Sequence, residues 1–210
     1  MTAPWDALEL GGPLLAVADD FLNDPEAVRE QMLALRFNRP CAVNYPGLAA
    51  TLPAELMPDP ARVAALLGGR EVTLMPAVCE ARLTQEQDEQ DRRSLVHADI
   101  AEFTAVIHLS EDQTDGIYFY RHRKLGVERV SPSDPWLVYV RSIVVQDTCA
   151  LPAWEVTRQI PMRFNRLVLF HGHFFHSGPN RLTGTCARTG RLTQNLFYNR
   201  HGAGTSDASL

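Results

Sequence analysis

The sequence predicts a mainly β fold of two sheets packed face to face, a barrel or jelly roll, carrying helices at its N-terminal end. Three observations predict it. Clear helical periodicity with proper start signals occurs twice before residue 70. From Glu71 onward the apolar residues fall into many short runs, most with period two. No β-α alternation repeats, which removes the parallel doubly wound folds. A chain of 210 residues, 45% hydrophobic and 21% charged, is an ordinary globular composition for one domain with a full core. We divide it into a helical part over 1–70, a β core over 71–200 with an insertion at about 121–153, and a frayed tail over 201–210.

Taken in order, Leu14 to Ala18 is the only strand-like piece of the first twenty residues. Asn23-Asp24-Pro25-Glu26 then starts a helix, with an Asp cap, Pro at the first helical position and Glu in the first turn. Val28, Met32, Leu33 and Leu35 form its apolar stripe, which ends near Phe37. A Pro- and Gly-containing loop runs from Arg39-Pro40 to Tyr45-Pro46-Gly47. Asp59-Pro60 opens a second helix, buried through Val63, Leu66 and Leu67 and stopped by Gly68-Gly69. Val72, Leu74, Val78 and Leu83 read as one or two strands. Thr84 to Arg93 is polar, either a solvated connection or a lid over a neighbouring site. Phe103 to Leu109 is a buried strand, and Asp115-Gly116 signals a hairpin that returns through Ile117 to Tyr120 as its partner. Asp134-Pro135 reads as the cap of a helix through Trp136, Leu137, Val140, Val144 and Val145, although the β-branched content of the stretch also permits a strand. Trp154 to Pro161, Phe164 to Phe170 and Arg191 to Tyr198 complete the strands, with a loop over Gly178 to Gly190.

Several function classes lack support. A net charge of −5 gives no electrostatic footprint for nucleic acid. The start MTAPWDALEL has neither a basic nor an apolar signal region, and no run reaches 18 apolar residues, so a cytoplasmic location without membrane attachment is expected. Cys41, Cys79, Cys149 and Cys186 are scattered and read as free thiols in a reducing compartment. No G-x-S-x-G, G-x-x-x-x-G-K-[ST] or G-x-G-x-x-G occurs, so hydrolase, P-loop and dinucleotide-binding readings have no foothold.

The chemistry concentrates in two stretches. His97-Ala98-Asp99 places an imidazole and a carboxylate two residues apart, on one face of an extended segment. Chance alone gives about 0.4 such pairs in this composition, so the motif is weak by itself. The apolar run Phe164 to Phe170 follows later and leads into His171, His173 and His176. One of these histidines added to the first pair makes two His and one carboxylate with open positions, the facial set of mononuclear non-haem Fe(II) oxygenases.

The order of parts, "VHADIAEFTAVIHLSED", "DGIYFYRH", "IPMRFNRLVLFHGHFFHSG" and "GRLTQNLFYN", resembles the Fe(II)- and 2-oxoglutarate-dependent dioxygenases, in particular their small prolyl-hydroxylase-like bacterial branch. The resemblance covers roughly residues 71–200, and "DFLNDPEAVREQML" is similar to that branch's first helix. It implies a double-stranded β-helix core, with Fe(II) as cofactor and 2-oxoglutarate and O2 as cosubstrates. It also implies oxidation of an unactivated C–H bond of a small, amino-acid-like molecule by hydroxylation or desaturation. Matched residue by residue, His97, Asp99 and His176 are the metal ligands, while His171 and His173 are competitors for the distal position. Arg191 and Thr193 match the Arg-x-Ser/Thr element that holds the distal carboxylate of 2-oxoglutarate, with Arg181 and Arg188 as alternatives. Asp99 stands where halogenases of this superfamily have a small residue, which implies oxygenation rather than halogenation. Arg82, Tyr118 and Tyr120 are candidate substrate contacts. Rival classes are a metal-binding jelly roll without turnover and a zinc-dependent hydrolase. The sequence leaves the oligomeric state open.

Overall fold

The computed structural model describes residues 15–39, 46–91, 95–110, 113–130 and 137–200. The expected cap at Asp134-Pro135, most of the loop 39–47 and the tail 201–210 lie outside these residues. In chain order the elements are β1 (Leu15–Ala18), α1 (Pro25–Leu33), β2 (Leu48–Thr51), α2 (Pro60–Leu66), β3 (Val72–Leu74), β4 (Glu80–Thr84) and β5 (Phe103–His108). They continue with β6 (Gln113–His122), α3 (Leu137–Asp147), β7 (Trp154–Met162), β8 (Arg166–His171), β9 (His176–Ser177) and β10 (Arg191–Arg200).

Two antiparallel sheets result. The larger has the order β1-β8-β5-β10-β4-β2, with β3 also paired to β10, and the smaller has the order β7-β6-β9. Strand alternation then sorts the side chains. Phe103, Ala105 and Ile107 of β5 join Leu167 and Leu169 of β8 and Leu192 and Leu196 of β10 on the outer face of the large sheet. There they meet Met32 of α1 and Val63 of α2, both fully buried. Burying such a side chain contributes about 1.5–3 kcal/mol. The opposite positions, Val106, Val168 and Phe170, pack between the sheets against Ile117 and Phe119 of β6. A third cluster, with Tyr120, Val140, Val144, Trp154 and Phe175, seats α3 on the far side of the small sheet. The order through the molecule is helices, large sheet, small sheet, helix.

Both N-terminal helices begin as their sequences require. Asp24 accepts from the Ala27 amide at 3.0 Å and Asp59 from the Ala61 amide at 2.9 Å, each followed by Pro at the first helical position. α1 stops at Leu33 rather than near Phe37, but Leu35 and Phe37 still pack on the core. One expectation is overturned. Ile117 to Tyr120 does not return beside β5; β6 pairs with β7 and β9 in the other sheet, and β5 pairs with β8 and β10. Asp115-Gly116 is not a hairpin tip but lies inside β6 at a register shift. A Cβ on Gly116 would stand 1.9 Å from the Ile160 carbonyl oxygen, so glycine is there for close strand approach. No helix among the described residues is long and apolar enough to cross a membrane.

Candidate metal centre and cavity

The segment carrying His97 and Asp99 is not a regular strand. It is held by a single bridge, in which the His97 amide donates to the His176 carbonyl at 3.0 Å and the His176 amide returns to the His97 carbonyl at 2.8 Å. This places the two imidazoles side by side, ring centroids 4.4 Å apart. The Asp99 amide donates to the Gly172 carbonyl at 2.7 Å. A Cβ on Gly172 would lie 2.4 Å from the Ala101 carbonyl oxygen and 3.1 Å from the Asp99 Cβ. Glycine between His171 and His173 therefore lets the Asp99 segment approach the end of β8.

Ring orientation is set by backbone carbonyls. Nδ1 of His97 bonds the Leu95 carbonyl at 3.0 Å, and Nδ1 of His176 bonds the Phe174 carbonyl at 2.7 Å. In a neutral imidazole a protonated Nδ1 leaves Nε2 as the lone-pair atom. Those Nε2 atoms face the Asp99 carboxylate, His97 at 3.8 Å from Oδ1 and His176 at 3.3 Å from Oδ2. Thr104 of β5 donates its hydroxyl to Oδ2 at 2.6 Å. Burial and the neighbouring His176 hold His97 down to about 4, so it is a neutral ligand at ordinary pH. Burial pushes Asp99 up, but His176 and His97 outweigh it and bring the carboxyl down to about 2. One ligand atom from each of His97, Asp99 and His176 falls within 4.8 Å of the others, and they are the one such group among the described residues. Two imidazole nitrogens and a carboxylate are a donor set for a first-row divalent ion with positions left open.

His171 and His173 are not part of this group. β8 ends at His171, the Phe174 amide turns back to the His171 carbonyl at 3.1 Å, and the chain crosses to the small sheet before His176. The separation comes from a change of sheet rather than from alternation along one strand. His171 instead packs its ring edge-on to Phe103, 5.6 Å away.

The triad opens onto a cavity of about 130 Å³ between the sheets. β4 contributes Glu80, Arg82 and Thr84, β5 contributes Thr104 and Val106, and β10 contributes Arg191, Asn195 and Phe197. Arg82 is almost wholly buried, its Nε 2.9 Å from Glu80. Burial pushes the Glu80 carboxyl up despite this guanidinium. Thr84 has a buried hydroxyl without a hydrogen-bond partner among the described residues. Thr193 shares the inner face of β10, but its hydroxyl donates to Asn195 Oδ1 at 3.0 Å. Arg188 is turned away, paired with Glu30 of α1, and Arg181 does not line the cavity. Tyr118 and Tyr120 are corrected as substrate contacts: Ile117 and Phe119 take the inward face of β6, so the tyrosines point to the α3 side. The Tyr120 hydroxyl meets the Ser177 hydroxyl at 3.0 Å, and its ring packs edge-on to Trp154. Glu80, Thr84, Asn195 and Thr104 were missed in the sequence; the alternation Glu-Ala-Arg-Leu-Thr in β4 was the available signal for two of them.

The polar stretch after β4 forms a 3-10 turn over Glu86–Asp91 and is tied to the loop before β10. The Glu86 amide donates to the Gly184 carbonyl at 2.9 Å, and Glu89 accepts from the Leu182 amide at 3.0 Å. Leu182 itself lines the cavity.

Comparison with known proteins places this architecture among solved structures. The chain is similar to the non-haem alpha-ketoglutarate-dependent carbocyclase SnoK from nogalamycin biosynthesis, with TM-score 0.55, 15% identity, and coverage of 88% of this chain and 79% of that one. The epimerase SnoN of the same biosynthesis gives 0.54 and 16%, covering 89% and 78%. HygX from Streptomyces hygroscopicus, solved with nickel and 2-oxoglutarate, gives 0.55 and 12%, covering 90% and 84%. At these identities the likeness is one of fold. No curated protein matches the sequence. A family model does match, over residues 5–198, which takes in the triad and every residue lining the cavity. By that match the chain belongs to DUF6445, a family of unknown function.

Proposed function

We propose that this chain is an Fe(II)- and 2-oxoglutarate-dependent oxygenase acting on a small molecule, and that its two sheets form a double-stranded β-helix. The observation that carries the reading is the convergence of His97, Asp99 and His176 at one end of a cavity whose wall includes Arg191. Solved neighbours carrying nickel or iron with 2-oxoglutarate support it. The unpartnered Thr84 hydroxyl fits a ligand that brings acceptor oxygens into the cavity.

In this reading His97, Asp99 and His176 hold the metal, and Arg191 receives the distal carboxylate of 2-oxoglutarate. A guanidinium suits that task because its planar fork pairs both carboxylate oxygens. When bound, Fe(II), 2-oxoglutarate and O2 would supply a two-electron oxidation of the substrate, one atom of O2 going to succinate as CO2 leaves and the other to the hydroxylated product, or to water in a desaturation. The protein's part is to keep His97 neutral, to present Nε2 of both imidazoles by holding Nδ1 on the Leu95 and Phe174 carbonyls, to keep Asp99 ionised, and to exclude water with Phe170, Phe197 and Ile117. Thr193, with its hydroxyl given to Asn195, orients that amide rather than serving as the chief carboxylate partner. The Glu80–Arg82 pair is the polar wall left for substrate, which fits an amino-acid-like molecule bearing both charges.

The test is succinate formation from 2-oxoglutarate by the Fe(II)-loaded protein in air, across candidate small molecules. Substrate-dependent succinate is expected, and Arg191→Ala should weaken 2-oxoglutarate binding by about thirtyfold or more, as truncation of one partner of a desolvated ion pair does. Arg191→Lys should recover only part of that loss. Failure to bind Fe(II) or 2-oxoglutarate would overturn the reading.

A further inference from the structure

Among the described residues two carboxylates stand on the cavity wall, Asp99 and Glu80. Glu80 has no part in the metal triad. It projects from the same face of β4 as Arg82, two positions on. Across the ladders Glu80 is opposite Asn195 of β10, and Asn195 is opposite Val106 of β5, one inward position from Thr104. Thr104 touches Asp99, so Glu80 lies toward the metal end of the wall, about 10 Å across the sheet from β5 at roughly 4.8 Å per strand. The Asp99 charge acts on its carboxyl. On the other side Glu80 is opposite Thr51 of the edge strand β2, and Thr51 is exposed. Glu80 therefore stands between the metal and solvent, where the wall opens.

The two charges of the pair are not equally placed. The Arg82 side chain is 6% exposed and the Glu80 side chain 30%, with Arg82 Nε on Glu80 Oε1 at 2.9 Å. The guanidinium is closed off and holds the carboxylate, and the carboxylate keeps an open side. A desolvated ion pair adds little stability over apolar residues of the same size, so the fold does not call for one here. The metal and cosubstrate do not call for it either. The two positive charges of the ion and that of Arg191 offset Asp99 and both carboxylates of 2-oxoglutarate. An acid fixed at the open margin is left to face the incoming substrate, and an ionised carboxylate binds a cationic N–H most strongly.

We propose that Glu80 is the specificity-determining residue for substrate: it takes a cationic nitrogen, the ammonium of an amine or amino acid, and so presents a C–H a few bonds away to the metal. Arg82 fixes Glu80 and is not itself the substrate contact. This rests on the oxygenase reading above and narrows its substrate from a molecule bearing both charges to one recognised by its nitrogen, with or without a carboxylate.

The experiment follows succinate formation by the full chain with Fe(II) and saturating 2-oxoglutarate in air. The probes are matched sets: proline, pyrrolidine and N-acetylproline, and norvaline, butylamine and N-acetylnorvaline. Loss of the carboxylate should leave the stimulation largely intact. N-acetylation, which removes the positive charge, should raise KM about thirtyfold or more, the range for a desolvated ion pair that loses one partner. Glu80→Gln should raise KM for the charged probes by a similar factor and erase the difference between each probe and its N-acetyl derivative, whereas a merely structural role would weaken both alike. Anaerobic titration of Glu80→Gln with 2-oxoglutarate, read by the visible charge-transfer absorbance, should match the wild type. An N-acetyl derivative as effective as its parent, an unchanged preference in Glu80→Gln, an altered 2-oxoglutarate affinity in that variant, or no response to any set would overturn the assignment while leaving the cosubstrate reading intact. Absence of the absorbance in the wild type would instead remove the oxygenase reading itself.

Discussion

Asp99 divides its two oxygens between tasks. Oδ1 faces His97 at 3.8 Å, and Oδ2 faces His176 at 3.3 Å while accepting the Thr104 hydroxyl at 2.6 Å. That hydroxyl fixes the carboxylate plane and so the direction from which a metal is met. Thr104→Val keeps the shape and removes the donor; metal affinity should drop about 10- to 100-fold, as for other groups that orient ligands. Titration with Mn(II) reads this directly, and an unchanged affinity would show that the backbone alone orients Asp99. His97 and Asp99 were legible as a closely spaced pair, whereas the choice of His176 among three histidines came from the family resemblance and not from spacing. Thr104 was not legible, since in "FTAVIHL" it reads as an ordinary member of a buried strand. Tyr118 and Tyr120 were misread for a different reason. Ile-Tyr-Phe-Tyr is bulky on both faces, and alternation states which residues share a face without stating which face is inward.

At the scale of elements, the end of α3 braces the segment that carries His97 and Asp99. The residue after α3, Thr148, donates its hydroxyl to the Val96 carbonyl at 2.7 Å and accepts from the Leu95 amide at 3.2 Å; its carbonyl accepts from the Val96 amide at 3.0 Å. α3 itself is anchored from below, with Asp147 3.1 Å from His122 Nε2 and its carbonyl accepting from the Trp154 indole at 2.8 Å. Thr148→Val should lower stability by about 1–2 kcal/mol, two bonds to backbone being lost, and weaken metal binding although it touches no ligand. Urea unfolding beside a metal titration separates the two effects; a stability loss with metal affinity unchanged would mean that the bridge to His176 alone fixes His97. The spacing of Val140 and Val144 made this helix readable, but its purpose lies in contacts across some fifty positions of sequence. The same limit explains β6: a Gly inside a strand and a Gly in a turn look alike locally, and strand partners are chosen by packing between distant segments.

For the whole molecule, acid is the informative variable. His108 and His171 are buried neutral, His171 being brought down to about 3 by burial first and then by His173, Arg129 and Arg200. In the unfolded chain each titrates near 6.5, so between that value and the folded one the unfolded state holds more protons. Their contribution is present above about pH 6.5 and is lost as pH falls below it, at up to roughly 1.4 kcal/mol per pH unit for each ring. Stability of the metal-free protein should therefore decline from pH 7 to pH 5, and His171→Phe should flatten the slope relative to wild type; parallel curves would refute this. The passage of the chain between sheets, after His171 and before His176, has a mechanical meaning. Asp99 hangs from the large sheet through Gly172 and Thr104, whereas His176 belongs to the small one. An ion gripped by both acts as a rivet through the sandwich. At a hundred times its dissociation constant such an ion adds about 2.7 kcal/mol, so chelation should lower the melting temperature in step with the logarithm of free metal. Iron starvation would then not merely idle this protein but loosen it, and turnover of the polypeptide in the cell would follow the metal supply.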